Sequence, residues 1–303
     1  MLIWLASYPR SGNTLLRMIM KSVFGLETYS KYDDRKGVGK DKETSELVGH
    51  RMLGGEWKDV YLAMRDAKDT FFVKTHDLPE DGAKAIYVVR DGRCAVVSYR
   101  HYLKDFNETG YPLAEVIAGF VPFGSWGCHL DAWSPTTRPD TLFIRYEDLV
   151  ASAAVEVKKI ADFLGVKPVG EWKNDFELLH RTNPRFFRQG DSSKSAKAVQ
   201  GDDLELFWLL HGDWMRALGY VDGDGAKRQT LPFLRNMMGK RSQDETRRRL
   251  DKARSDNASL AAACEVYRKE RDAAASEVLR LREEMARLRA ESEGPGRGRD
   301  ETW

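Results

Sequence analysis

Short apolar runs punctuate the first two hundred or so residues of the chain. Leu2–Ala6, Phe71–Lys74, Ala85–Val89 and Thr141–Arg145 are rich in β-branched, aromatic or aliphatic residues and show little polar alternation. Runs of that kind suit strands covered on both faces of a parallel sheet. Between and after them, apolar residues recur at helical spacing over Thr14–Phe24, Arg93–Lys104, Leu149–Phe163 and Leu204–Leu218. Parallel neighbours need crossovers, so the alternation predicts an α/β layered fold with a central parallel sheet flanked by helices. Residues 28–58 are polar and Gly-rich with weak periodicity, and read as loop plus a short helix, a candidate lid. Trp208, His211, Trp214 and Leu218 fall at helical intervals and mark the buried face of a late helix.

The pattern changes near residue 240. Residues 241–303 hold 15 Lys/Arg and 14 Asp/Glu, no Phe, and Trp303 as their only Trp, so they cannot build a core alone. Placing a at 250, 257, 264, 271, 278 and 285 and d at 253, 260, 267, 274, 281 and 288 makes most seam positions apolar, which predicts a coiled coil. Asn257 and Arg271 at a would weaken the seam and fix its register. A single charged helix or a disordered tail is the alternative. Gly294-Pro295-Gly296 stops the helix. The expected organisation is an α/β domain over 1–225, a linker over 226–240, a coiled-coil helix over 241–292 and a disordered tail over 293–303.

Composition narrows the class. With 303 residues and 42% hydrophobic residues the chain can form one or two domains with a sizeable core. A net charge of +2 gives no global argument for a nucleic-acid partner. Cys94, Cys128 and Cys264 lie far apart, form no metal-spaced pair and fit a reducing compartment. No apolar run approaches the roughly 18 residues of a membrane span. Met1 leads into Leu2 without a basic segment, so no signal peptide is expected and the expected location is cytoplasmic.

Three stretches carry candidate chemistry. Ser7-Tyr8-Pro9-Arg10-Ser11-Gly12-Asn13-Thr14 joins the first strand to the first helix. Such a turn aims backbone N–H groups and a helix dipole at an anion, with Gly12 allowing close approach and Arg10, Ser11 and Thr14 adding donors. It departs from the G-x-x-x-x-G-K-[ST] loop, with Ser7 at the first Gly position and Asn13 at the Lys position. An ordinary βα turn with a Ser/Thr cap is the plain alternative. Lys74-Thr75-His76 ends the second run, at the strand edge where open α/β sheets bind ligands. A histidine there can take a proton and a lysine can stabilise negative charge; a surface Lys-His pair is the alternative. Arg90, at the end of the third run, and Ser98, about two turns into the following helix, could share one phosphate. Arg93 and Arg100 read as solvated helix charges, and His101 and His129 as structural, with a catalytic role as the alternative and His129, in the Gly-Ser-Trp segment, the better candidate for it. Trp126 and Trp133 either line a pocket or pack.

In order, "SYPRSGNTLLR", "FVKTHDLP", "IYVVRDGRCAVVSYRHY", "PFGSWGCHLDAW", "LFIRYEDL" and "FFRQG" resemble the sulfotransferase family over roughly residues 1–220. The resemblance implies a P-loop-like fold and an enzyme that moves a sulfuryl group from 3'-phosphoadenosine 5'-phosphosulfate (PAPS) to a hydroxyl or amine. It implies that Arg10, Ser11, Gly12, Asn13 and Thr14 hold the 5'-phosphosulfate, that Lys74 assists the sulfuryl group and that His76 is the general base. Arg90, Ser98, Arg188 and Gly190 would clamp the 3'-phosphate, and Tyr146 would lie near the adenine. Two positions depart from the family: Leu15 replaces an adenine-stacking aromatic residue, and Gln189 replaces a basic one, for which Lys194 or Lys197 is the expected substitute.

The expected mechanism is an in-line displacement. His76 removes the acceptor proton, Lys74 and Arg10 stabilise the sulfuryl and bridging oxygens, and no metal is required because side chains supply the positive charge. The expected partners are a small-molecule or saccharide acceptor and a second copy or a partner helix along the coiled coil. Acceptor loops are expected within 28–58, 104–130 and 191–203. The alternatives are a P-loop small-molecule kinase using Mg·ATP and a non-catalytic coiled-coil interaction protein.

Overall fold

All five residues of β1 (Leu2–Ala6) are buried, which is why a strand without polar alternation forms here: both faces of the sheet are covered. The computed structural model describes residues 1–32, 38–40, 42–107, 110–173, 180–181, 196–221, 230–231, 235–236 and 239–240. All of them fall within one unit, Met1–Thr246. The coiled coil and tail expected over 241–303, and Arg188, Gln189, Gly190 and Lys194, lie outside the described residues.

Among the described residues six strands form one sheet in the order β3-β2-β4-β1-β5-β6. Besides β1 these are β2 (Thr28–Ser30), β3 (His50–Arg51), β4 (Phe71–Thr75), β5 (Ala85–Val89) and β6 (Thr141–Arg145). Every pairing is parallel. β1 lies between β4 and β5, with Ala6 level with Thr75 on one side and Tyr87 on the other. The chain therefore leaves β1 toward one edge, returns to β4, and crosses to β5 on the opposite side. That reversal opens a crevice at the C-terminal ends of β1, β4 and β5, where open sheets place ligands.

Helices cover both faces. α1 (Asn13–Phe24), α7 (Tyr146–Ala151) and α8 (Ala153–Leu164) pack Leu16, Ile19, Leu149 and Ile160 on Ile3, Leu5, Ile86 and Val88. On the other face α3 (Trp57–Asp66), α4 (Gly92–Asn107), α5 (Leu113–Ala118), α6 (Trp126–Trp133) and α9 (Gly201–Ala217) meet Trp4, Ala6, Tyr87 and Val89. The period-2 alternation of β1 side chains divides the core in this way. Among the described residues no helix is long and apolar enough to cross a membrane.

The four expected strands form within a residue of their expected bounds. Two elements differ from expectation. Residues 28–58, read as loop plus a short helix, contain β2, β3 and α2 (Lys42–Val48). β2 and β3 are too short for periodicity to register, and their buried residues Thr28, Ser30 and His50 are polar. Arg17, fully buried on α1, donates Nε to Thr28 Oγ1 at 2.8 Å and Nη2 to His50 Nδ1 at 2.8 Å, which ties β2 and the edge strand β3 to the helix. The single helix expected over 149–163 is two, broken at Ser152 with φ −144° and ψ 50°.

Arg235, from the stretch expected to act as a linker, is 3% exposed. Its five N–H groups reach the carboxylates of Asp131 on α6 and Asp213 on α9 and the Leu210 carbonyl, at 2.7–3.0 Å.

Candidate active site

The loop between β1 and α1 is fixed from below. Asn13 Nδ2 donates to the Leu5 carbonyl at 2.8 Å and to Ser7 Oγ at 3.3 Å, so the position that carries Lys in the NTPase loop is here a structural tie. Arg10 takes φ 64° and Gly12 φ 103°. A Cβ on Gly12 would stand 2.5 Å from Tyr146 Cδ2, so the Tyr146 ring lies against the loop backbone. No side chain caps the N-terminus of α1 and no acid sits in its first turn, which leaves the positive dipole end toward the crevice. Ser11 Oγ is buried with no hydrogen-bond partner among the described residues. An orphaned hydroxyl, a glycine cradle and an uncapped helix start are features an anion would satisfy.

Arg10 Nε donates to Ser98 Oγ at 3.2 Å, and its guanidinium lies 5.5 Å from the Tyr102 ring. Arg90 is 8% exposed, donates Nη1 to the Arg10 carbonyl at 3.4 Å and lies 4.6 Å over the Tyr146 ring. Arg10 thus joins Arg90 to Ser98, the pair the sequence placed around one phosphate. Its side chain reaches α4 rather than β4, where Lys74 stands.

On the β4 side, His76 Nδ1 lies 2.8 Å from the Ser7 carbonyl. A carbonyl only accepts, so Nδ1 carries the proton and Nε2 is the proton-accepting nitrogen of the neutral ring. Tyr32 surrounds this motif. Its hydroxyl accepts from His76 N at 2.7 Å, its ring stacks on the imidazole at 5.9 Å and 10°, and Lys74 Nζ lies 5.6 Å from its centroid. Burial, then the Asp77 charge, keep its phenol protonated. Phe123 meets both rings edge-on. Sequence reasoning missed Tyr32, which stands in an aperiodic polar stretch. The only signal was the inclusion of 28–58 among the variable loops.

Other expectations resolve plainly. Arg93, read as a solvated charge, is a correction: its side chain is 13% exposed because it pairs with Asp91 at 2.8 Å. Arg100 is exposed. Trp126 and Trp133 are buried at 0% and 1% and pack. Cys94 is buried, and its thiol is pushed up to about 12 by burial. Lys197 is exposed.

The sulfotransferase domain matches residues 2–201, and the chain belongs to the sulfotransferase family. Sulfotransferase 1B1 of Mus musculus is 30% identical over 252 residues, 71% of this chain and 80% of that protein. Flavonol 3-sulfotransferase of Flaveria bidentis is 28% identical over 188 residues, covering 54% of this chain. The alignment spans only 56% of that relative's length. Among solved structures, mouse sulfotransferase SULT7A1 complexed with PAP aligns at 22% identity and a TM-score of 0.40, covering 67% of this chain and 66% of that one.

Proposed function

We propose that this protein transfers a sulfuryl group from PAPS to a hydroxyl or amine of a small-molecule acceptor, with His76 as the general base. The carrying observation is the contact between His76 Nδ1 and the Ser7 carbonyl, which sets the base against the start of the anion-cradling loop. Ser11, Gly12, Asn13 and Thr14 would receive the 5'-phosphosulfate, and Arg10, Arg90 and Ser98 the 3'-phosphate side. The fit rests on the unpartnered Ser11 hydroxyl and the uncapped helix start. PAPS would supply the activated sulfuryl group and leave as adenosine 3',5'-bisphosphate, the S–O bond to its 5'-phosphate breaking as the acceptor oxygen or nitrogen bonds to sulfur. His76 Nε2 accepts the acceptor proton, and Lys74 Nζ stabilises charge that develops on oxygen. Tyr32 and Phe123, from two of the stretches expected to carry acceptor loops, line the approach to His76.

The kinase alternative needs a lysine in the loop and a carboxylate for Mg²⁺. Asn13 stands at the first position, and the best candidate for the second, Asp91, is engaged by Arg93 through Oδ1 and Oδ2. The test is a screen of phenol, alcohol, amine and saccharide acceptors with labelled PAPS, beside thermal shifts with adenosine 3',5'-bisphosphate and Mg·ATP. His76→Ala is expected to lower kcat by ~10²–10⁴ with unchanged affinity for the bisphosphate. Transfer at the wild-type rate by that variant removes His76 from the role, and stabilisation by Mg·ATP alone removes the donor assignment.

A further inference from the structure

His129 lies outside the proposed chemistry, yet it is fully buried and bonded on both ring nitrogens. Its Nε2 is 3.1 Å from the carbonyl of His76, and its Nδ1 is 2.7 Å from the Tyr87 hydroxyl. The carbonyl can only accept, so Nε2 carries the proton and Nδ1 accepts from the phenol. Tyr87 is buried on β5, burial holds its phenol protonated, and with Nδ1 unprotonated it donates to that nitrogen. The opposite tautomer would set a nitrogen lone pair against the carbonyl oxygen and leave the buried phenolic proton without the Nδ1 acceptor. The His76 carbonyl therefore fixes the tautomer, and Tyr87 holds the other side of the ring in it.

The same short stretch is held at each neighbouring group. Ser7 N donates to the Thr75 carbonyl at 3.3 Å, His76 N to Tyr32 at 2.7 Å, Asp77 N to Thr75 Oγ1 at 3.1 Å, and Trp133 Nε1 to the Asp77 carbonyl at 2.9 Å. Four of these ties leave the backbone rigid around one residue whose ring must face the reacting oxygen. His129 and Trp133 share α6, so one helix holds two successive carbonyls.

We infer that His129, its ring held from the far side by Tyr87, is a positioning residue that fixes His76 for proton transfer through the His76 carbonyl. The inference rests on His76 acting as the base. Burial pushes the His129 ring down to about 3, so the ring stays neutral wherever His76 could serve as a base.

The test uses the full chain with Tyr87→Phe, His129→Leu and His129→Gln, and the acceptor on which the wild type turns over fastest in the screen above. His129→Leu is expected to lower kcat ~10–100-fold, the range for a slightly misplaced reacting group, with the KM for PAPS and the affinity for adenosine 3',5'-bisphosphate within about twofold. Tyr87→Phe removes one atom, and is expected to lower kcat about three- to tenfold by loosening the His129 ring. His129→Gln can donate to the same carbonyl and should recover most of the loss. A purely structural role would leave turnover per folded molecule unchanged while lowering the melting temperature of the Leu and Gln variants alike. Wild-type kcat in both Tyr87→Phe and His129→Leu, or equal losses in Gln and Leu, overturns the inference. Ring ¹⁵N shifts of His129 decide it without any turnover: a proton on Nε2 in the wild type supports it, and a proton on Nδ1 in the wild type overturns it. An absence of sulfuryl transfer by the wild type would instead count against the proposed function.

Discussion

Gly12→Ala tests whether the loop is built around a ring. Gly12 holds φ 103°, where an L-residue is strained by about 1–2 kcal/mol. The added methyl would also stand 2.5 Å from Tyr146 Cδ2, so the ring must move. Overpacking of this kind costs about 1–3 kcal/mol. The two contributions sum to roughly 2–5 kcal/mol of stability. The consequence reaches the ligand side because the Arg90 guanidinium rests 4.6 Å over the same ring. Displacing the ring displaces Arg90, and affinity for adenosine 3',5'-bisphosphate should fall by about tenfold or more, equivalent to some 1.4 kcal/mol. Urea denaturation of Gly12→Ala, Tyr146→Ala and the double variant separates the two costs. In the Tyr146→Ala background only the backbone strain remains, so Gly12→Ala should cost about 1–2 kcal/mol there. Equal costs in both backgrounds would refute the clash, and a cost near zero in the wild type would refute both.

Arg90→Ala should weaken binding of adenosine 3',5'-bisphosphate far more than of adenosine 5'-phosphate; calorimetry showing equal losses would contradict a role at the 3'-phosphate. Burial pushes His129 down to about 3 and His211 to about 4, so both enter the folded state neutral. Below the ordinary histidine value of about 6.5 the unfolded chain binds protons that the folded one does not, so stability should fall with decreasing pH. Each ring contributes about 1.4 kcal/mol per pH unit, down to about pH 4 for His211 and pH 3 for His129. Chemical denaturation across pH 4–7 should show this slope, and His211→Leu should flatten it by one proton's worth. Arg235→Met should cost about 2–3 kcal/mol, below the figure for a fully buried pair because the Asp131 and Asp213 side chains are 32% and 34% exposed. Burial raises the Asp213 carboxyl, but Arg235 outweighs it and holds the group below the usual carboxylate range. That contribution is present above the unfolded value near pH 3.9 and fades as pH falls through the folded value, so Arg235→Met should lose it at neutral pH and show a shallower acid limb in the same denaturation series.

The strands that could be read from the sequence are those that form unbroken apolar or β-branched runs, whether fully buried or, like Phe71–Thr75 and Thr141–Arg145, partly so. Leu2–Ala6 and Ala85–Val89 are buried at every position, so an unbroken apolar run reports them directly. β2 and β3 escaped notice because their inward residues are polar, and two of them, Thr28 and His50, are met in the core by Arg17 from a separate segment of the chain. Ser152 interrupts α7 and α8 without any glycine or proline to announce it. In the site, local motifs exposed residues whose chemistry is sequential, such as the turn from Ser7 to Thr14. Tyr32 carries no local pattern. It reaches Lys74 and His76 because Ser30 pairs with Lys74 across the sheet, a register that only the folded chain defines. The same holds for His129, read as structural: its hydrogen bond to the His76 carbonyl joins segments 53 residues apart.

The placement of β1 in the middle of the sheet bears on how the protein emerges from the ribosome. Leu2–Ala6 is made before both of its neighbours, Phe71–Thr75 and Ala85–Val89. At about 5–20 residues per second, the strand waits several seconds for either partner to be synthesised. During that interval a bare apolar segment containing Trp4 is open to chaperones and to other nascent chains, so substitutions that slow translation before residue 89 should reduce soluble yield without altering the finished molecule.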